Sequence, residues 1–386
     1  MNSLNHTILV TGATGFIGGR VCERLVQEGA KEVRALVHTF RHAPRIARLP
    51  ICLCKGDLLD SDTLRKALGD ARVVIHCGLG DAAGIVRGTR NLLEVAAAAG
   101  VERFVHMSTA AVYGYRPSPG CESEDAPLRR TGDPYCDNKA RAEHVVSRFA
   151  RRGLPTVILR PAIVYGPYSF WSTRLLNALQ EGQAVLIDGG KGACNTTYVD
   201  NLVDAVFLAV RDDRAVGECF FVTDGERITW GDFVRAHMAM LDPEPIVPVV
   251  TGDEILAHYR AQPGSWTRSF REVRQLLFGV EFRKMLLQIP VCERLLTAAW
   301  ARLQAMDPEK KDRLKARLRG GSVAAAPAQP NYRERHIPDL TTWLSETHSV
   351  FFRIDKARRL LGYSPRIPFA QGIKRVEQWL RFANYL

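Results

Sequence analysis

The chain has 386 residues, of which 46% are hydrophobic and 24% charged, and a formal net charge of +12. That balance suits a folded enzyme and excludes a fibrous or disordered chain; the length admits two domains, or one α/β core with a smaller attached part. No run approaches the ~18 apolar residues of a membrane-spanning helix, and no basic segment leads into an apolar signal core, so the protein reads as cytoplasmic and unprocessed.

In chain order, HTILV (6–10) is expected as a strand and 16–27 as a helix, followed by a strand at 33–37 and a helix at 58–68. RVVIHC (72–77) is a strand, 85–99 a helix and RFVHM (103–107) a strand. Strands separated by helices of this length imply right-handed crossovers and a parallel sheet, hence a Rossmann-type doubly wound α/β fold. Prolines in LDPEPIVPVV (241–250) favour extended chain there. Residues 265–319 carry 13 Lys/Arg against 6 Asp/Glu, with apolar residues recurring at helical spacing, and read as a basic helical insertion. GGSVAAAPAQPN (320–331) reads as a flexible loop.

The nine cysteines show no C-x-x-C pair and no metal-ligand spacing, so they are expected to be reduced packing residues, with no metal site. The basic balance is concentrated in 265–319 without any nucleic-acid motif, and no nucleic-acid partner is expected. That insertion suits a helical cap over the pocket, a membrane surface or a partner protein.

Two constellations carry chemistry. Gly12, Gly15 and Gly18 in TGATGFIGG (11–19) lie between a strand and a helix, where a glycine turn lets a dinucleotide pyrophosphate approach the helix N-terminus. Gly12 is read as the tight turn, Gly15 as the close approach and Gly18 as the helix–strand contact. Tyr135 and Lys139, four apart on a helix, share one face, so one small molecule can touch both. A free tyrosine has a pKa of about 10, and a neighbouring ammonium brings its phenolate within reach.

These stretches, with GDLLD (56–60), HCGLG (76–80), STAAVYG (108–114), YCDNK (135–139), LRPAIVYGP (159–167), YVDNLVDAV (198–206) and DKARRLLGYSPRIPFAQGI (355–373), resemble the extended short-chain dehydrogenase/reductase superfamily of the NAD-dependent epimerase/dehydratase type. The resemblance covers 5–240 and about 350–386. It implies Tyr135 as general acid/base, Lys139 as the residue on the nicotinamide ribose and Thr109 as the orienting hydroxyl, with Ser108 in reserve. It further implies cofactor contacts from Thr14, Phe16, Ile17, His38, Arg41, Asp57, Leu58, Cys77, Gly78, Leu79, Ser108, Pro161 and Ile163, and a homodimer through the helices carrying Asn91 and Tyr135.

The segment VRALVHTFRHAPR (33–45) has no acid to hold a ribose 2′-hydroxyl, while Arg41 and Arg45 could hold a 2′-phosphate, which favours NADP(H) over NAD(H). Family members acting on nucleotide sugars carry an asparagine and an arginine where this chain has Ile163 and Cys194. RPAIVYGP looks more like the 3β-hydroxysteroid dehydrogenase and dihydroflavonol reductase-like branch. The resemblance therefore implies a reductase or dehydrogenase acting on a small ring-containing or lipophilic alcohol or ketone. A nucleotide-sugar epimerase/dehydratase is the alternative, with Arg174, Lys191 or Asn195 supplying phosphate contacts. A non-catalytic sensor or scaffold would be expected to have lost Thr109, Tyr135 or Lys139, and none is lost. The expected division is a dinucleotide-binding core at 1–165, with 195–225 returning to it, and a substrate-binding part at 166–194 and 226–386.

Overall fold

Apolar residues at consecutive positions mark strands covered on both faces, and the strands at the centre of the sheet show this. The structure is a computed structural model, which describes residues 3–80, 84–261 and 336–386. Its strands are β1 (Thr7–Thr11), β2 (Glu32–Val37), β3 (Cys52–Lys55), β4 (Val73–His76), β5 (Arg103–Met107), β6 (Thr156–Pro161), β7 (Ile163–Tyr165), β8 (Leu186–Ile187), β9 (Thr196–Tyr198), β10 (Cys219–Val222) and β11 (Val249–Val250). Seven of them form one parallel sheet in the order β10-β6-β5-β4-β1-β2-β3. The direction of winding reverses between β1 and β4, which opens a crevice at their carboxyl ends, the usual binding place in such sheets. Two short parallel pairs, β7 with β9 and β8 with β11, lie outside the main sheet.

The helices are α1 (Phe16–Gln27), α2 (Pro44–Ala47), α3 (Ser61–Leu68), α4 (Thr89–Ala98), α5 (Pro134–Ala150), α6 (Phe170–Gln180), α7 (Val199–Arg211), α8 (Trp230–Met238) and α9 (Gly252–Ala261), then α10 (Leu340–Thr347), α11 (Asp355–Leu361) and α12 (Phe369–Phe382). The two-residue period of a strand divides the core. Ile8 and Val10 of β1 join Val21 and Leu25 of α1 and Leu202 and Val206 of α7 on one face. Leu9 joins Phe104, Leu92, Leu93 and Val146 on the other, under α4 and α5. Fully burying each such side chain is worth roughly 1.5–3 kcal/mol.

Three local readings change. The helix expected at 58–68 begins only at Ser61, because Asp60 caps it by accepting from the Asp62 and Thr63 amides. The helix expected at 85–99 is a π-helical turn, Gly84–Gly88, running into α4. The edge strand β3 has no counterpart among the expected strands; it is four residues long and partly exposed, so no buried pattern marks it.

Met1–Ile255 with Ile337–Leu386 form one compact unit and Leu256–His336 another. In the first unit, 166–194 and 226–255 belong together with the nucleotide-binding core. The insertion expected at 265–319 and the loop at 320–331 lie outside the described residues. Two asparagines tie the C-terminal segment down. Asn195 donates to the Val350 carbonyl and accepts from the Phe352 amide, both at 2.9 Å. Asn201 does the same for Ile367 at 2.8 and 3.0 Å.

Candidate active site

The glycine turn at the end of β1 assigns a separate job to each glycine. Gly12 has φ +65°, and a Cβ there would sit 2.5 Å from the Cys77 carbonyl and 2.7 Å from the Gly78 nitrogen. Gly18 is packed so that a Cβ would run into the Gly12 carbonyl. Gly15 is exposed, and its added Cβ would meet only the Gly12 carbonyl, at 3.2 Å. It precedes Phe16 as the N-cap of α1 and provides no side-chain cap, which leaves the first-turn amides of Phe16 and Ile17 free to receive an anion. Thr14 is half-buried beside it.

Beneath that turn runs a buried hydrogen-bond chain that the sequence did not reveal. Thr89 donates its only hydroxyl proton to the Ile85 carbonyl at 2.6 Å. It must therefore accept from His76 Nε2 at 3.0 Å, which leaves Nδ1 to accept from the Thr11 hydroxyl at 2.6 Å. Thr11 in turn accepts from the Gly78 amide at 3.2 Å. Burial and then the nearby Lys139 charge push the His76 pKa down to about 3, so the imidazole is neutral, as the chain requires. The ends of β1 and β4 and the π-helical turn are thereby locked together around Cys77 and Gly78. Cys77 is half-buried, and desolvation pushes its thiol up to about 12, so it stays uncharged. Leu79 is exposed, and Leu58 packs against Gly78 and Gly88 while Asn91 donates to its carbonyl at 3.1 Å.

Helix α5 starts at Pro134, with Asp133 as N-cap accepting from the Cys136 amide at 2.9 Å. Its first turns place Tyr135 and Lys139 on one face. Lys139 is buried, and its Nζ donates to the Met107 carbonyl at the end of β5 at 2.7 Å. Burial pulls its pKa down to about 8, partly offset by the charge of Glu143. Tyr135 is raised above the ordinary tyrosine value by burial, and a hydrogen bond with the Thr109 side chain pulls the other way. Thr109 caps the short turn Ala110–Tyr113, accepting from the Ala111 amide at 3.2 Å. Ser108, just past the end of β5, donates to Glu143 of α5 at 2.5 Å. The Ser108 hydroxyl proton is thus committed inside the protein, which leaves its backbone as the part of Ser108 that could meet a cofactor.

At the end of β2, His38 is exposed with Nδ1 3.8 Å from Asp57 Oδ2, and Asp57 also accepts from the Leu59 amide at 2.9 Å. Arg41 is exposed and lies 3.1 Å from His42 Nε2. Arg45 turns away: it is 3.0 Å from Glu23 and lies over the Tyr168 ring at 4.3 Å. The reading of Arg45 as available to a 2′-phosphate is corrected accordingly, and His38 and Arg41 remain.

On the substrate side, Pro161 ends β6 and Ile163 opens β7, its amide donating to the Asn195 carbonyl at 2.9 Å. Cys194 is fully buried in the core and presents nothing to a ligand, and Asn195 is consumed by the C-terminal segment. Neither can fill the phosphate-binding role; Arg174 and Lys191 are exposed. Tyr168 and Phe170 are exposed aromatics, Tyr168 packing at a tilt on Trp379 with ring centroids 4.9 Å apart, while Trp171 packs on Trp230 at 5.9 Å. Among the described residues no group of three or more His, Cys, Asp or Glu could hold a metal ion.

Comparison with known proteins agrees with this geometry. The family model "NAD dependent epimerase/dehydratase family" matches residues 8–222. The chain is 26% identical to a 2-alkyl-3-oxoalkanoate reductase of Stenotrophomonas maltophilia, over 96% of this chain and 98% of that one. It is 28% identical to a 4-hydroxy-2-methyl-3-oxo-4-farnesyl-3,4-dihydroquinoline-1-oxide ketoreductase of Stigmatella aurantiaca, over 58% of this chain and 70% of that one. In fold it is similar to the UDP-glucuronic acid 4-epimerase of Bacillus cereus in complex with NAD, with a TM-score of 0.66 at 19% identity over 98% and 99% of the two chains. With more than half its length matched by the family model, the chain belongs to the NAD-dependent epimerase/dehydratase family and is an enzyme of the extended short-chain dehydrogenase/reductase type.

Proposed function

We propose that the protein is a ketoreductase that uses NADPH to reduce a lipophilic 3-oxo substrate to the secondary alcohol. The observation that carries this reading is the meeting of Thr109, Tyr135 and Lys139 at the carboxyl edge of the sheet, beside the open glycine turn. The two ketoreductase relatives support the reaction class, and the first suggests a 2-alkyl-3-oxoalkanoate as the substrate to try.

Bound NADPH would supply the hydride that arrives at the carbonyl carbon. Tyr135 donates its phenolic proton to the carbonyl oxygen, so the carbonyl π bond becomes one new C–H and one new O–H bond. Burial keeps Tyr135 protonated at neutral pH, which suits a proton donor in the reductive direction. Thr109 hydrogen-bonds Tyr135 and helps hold the reacting oxygen; Lys139 would hold the nicotinamide ribose, and its ammonium stabilises the phenolate left after transfer. The pyrophosphate would be held by the amides of Phe16 and Ile17, with Gly12, Thr14, Gly15 and Gly18 shaping the turn and Gly78 and Leu79 flanking it. Asp57 and Leu58 would border the adenine, and Pro161 and Ile163 the nicotinamide.

The exposed His38 and Arg41, and the lack of any acid from Val33 onward through the end of β2, favour a 2′-phosphate, hence NADPH over NADH. A homodimer through the faces of α4 and α5, and a cytoplasmic location, belong to the same reading. No described helix is long and apolar enough to cross a membrane. The test is NADPH oxidation with 2-alkyl-3-oxoalkanoates and cyclic ketones, compared with conversion of nucleotide sugars. Ketone-dependent oxidation supports the reading. Epimerisation or dehydration of a nucleotide sugar with no net NADPH consumption overturns it and would direct attention to Arg174 and Lys191.

A further inference from the structure

Behind Tyr135 and Lys139 lies a buried ion pair that the proposed chemistry does not use directly. Glu143, on α5 one turn beyond Lys139, and Arg160, on β6, are both almost fully buried. Arg160 Nη2 lies 2.6 Å from Glu143 Oε2, and Nε lies 2.9 Å from Oε1. The remaining groups are also satisfied: Ser108 donates to Glu143 at 2.5 Å. Arg160 Nη1 donates to the Tyr113 hydroxyl at 2.8 Å, and Tyr113 donates to the Ala126 carbonyl at 3.0 Å. A buried pair of this kind adds little net stability over an apolar pair of the same volume, so its location asks for another explanation.

The surroundings of Lys139 supply one. It is faced by His76 at the end of β4, by Cys77 just after it, by His106 of β5 and, on its own helix, by Glu143, while Tyr135 stands one turn before it. Burial drives both histidines well below their ordinary pKa and raises Cys77 and Tyr135, so all four are uncharged at neutral pH. The charged residues on the elements packed beside α5, Arg87 of the π-helical turn and Arg90 and Glu94 of α4, are exposed to solvent. Arg160 stands behind Glu143. Among the described residues, Glu143 is thus the one anion close enough to hold a buried ammonium at Lys139. Through Ser108 the same carboxylate fixes the backbone that presents Thr109.

We propose that Glu143 is a positioning residue, whose carboxylate, held by Arg160, keeps Lys139 protonated and sets the Ser108–Thr109 backbone facing Tyr135. This rests on the reading of Lys139 as an active-site ammonium, but its test does not require turnover. The protonation of Lys139 is followed by NMR in the ¹⁵N-lysine-labelled full-length protein without cofactor, assigned with Lys139→Met. Wild type should titrate near pH 8. Glu143→Gln, leaving Arg160 unpaired, should lower the midpoint by about one to three pH units; Arg160→Met, leaving the carboxylate unpaired, should raise it. Midpoints that shift in the same direction, or not at all, overturn the proposal.

If thermal scans show that either single variant is unfolded, the double variant Glu143→Gln/Arg160→Gln decides, because it leaves no unpaired buried charge. A lowered Lys139 midpoint supports the proposal and an unchanged one overturns it. Where wild type reduces a ketone, the alkaline limb of kcat/KM should move with the NMR midpoint. A uniform loss of rate with an unmoved limb would make Glu143 merely structural. Absence of ketone reduction by wild type counts against the proposed function alone, since the NMR titration is read separately.

Discussion

Gly12 and Gly15 stand three residues apart in one turn, yet replacement by alanine should damage the protein in different ways. At Gly12 the backbone has φ +65°, where an L side chain is disfavoured by about 1–2 kcal/mol. A Cβ would also sit 2.5 Å from the Cys77 carbonyl and 2.7 Å from the Gly78 nitrogen, both backbone atoms that cannot rotate away. Overpacking of that kind adds about 1–3 kcal/mol, so Gly12→Ala should lose about 2–5 kcal/mol and disturb the Thr11–His76–Thr89 chain. At Gly15 φ is −82°, and the new methyl would meet one carbonyl at 3.2 Å, an overlap relieved by a few tenths of an ångström. Gly15→Ala should therefore unfold within about 1 kcal/mol of wild type, but lose at least tenfold in NADPH affinity because its methyl occupies the pyrophosphate's approach. Urea unfolding and NADPH fluorescence titration measure the two effects. Equal destabilisation by both substitutions, or wild-type NADPH binding by Gly15→Ala, would refute this division of labour.

Tyr135→Phe should lower kcat about 10²–10⁴-fold with the fold and NADPH binding intact, checked by steady-state kinetics and NADPH titration. Lys139→Met should stabilise the fold at neutral pH. The native pKa lies near 8 against an ordinary lysine value of about 10.4, so the unfolded chain binds more protons between those values; the burial penalty is fully present below pH 8, fades as pH rises from there and is gone once the unfolded lysine has also lost its proton. Urea unfolding should show a gain of order 2–3 kcal/mol at pH 7 that shrinks by pH 10, and a gain that grows with pH would contradict the assignment. Arg41→Glu should raise KM for NADPH about tenfold and leave NADH little changed; an equal effect on both cofactors would show that Arg41 does not read the 2′-phosphate.

The parallel sheet was legible because β1, β4 and β5 are buried on both faces and therefore carry apolar residues at consecutive positions. The glycine turn and the Tyr135–Lys139 pair were legible because each is local in sequence. The edge strand β3 was hidden by its exposure, and the π-helical turn by the apolar residues it shares with an ordinary helix. Ser108 and Thr109 are adjacent hydroxyls just past β5; which of them meets Tyr135 depends on how the chain turns there into Ala110–Tyr113, which side-chain chemistry does not reveal. Glu143 and Arg160 are joined across a helix and a strand, and the fate of Arg45 was decided by Glu23 on α1. Pairings of this kind depend on how elements pack. The one readable signal was the four-residue step from Lys139 to Glu143.

The most direct test of the ketoreductase reading is isotope transfer. The protein is incubated with NADPH deuterated at the transferable nicotinamide position and a 2-alkyl-3-oxoalkanoate, and the product is examined by mass spectrometry. The account predicts one deuterium on the new carbinol carbon, with transfer strongly reduced in Tyr135→Phe. Recovery of unlabelled ketone beside a nucleotide sugar that the protein does epimerise, or undiminished transfer in Tyr135→Phe, would contradict it.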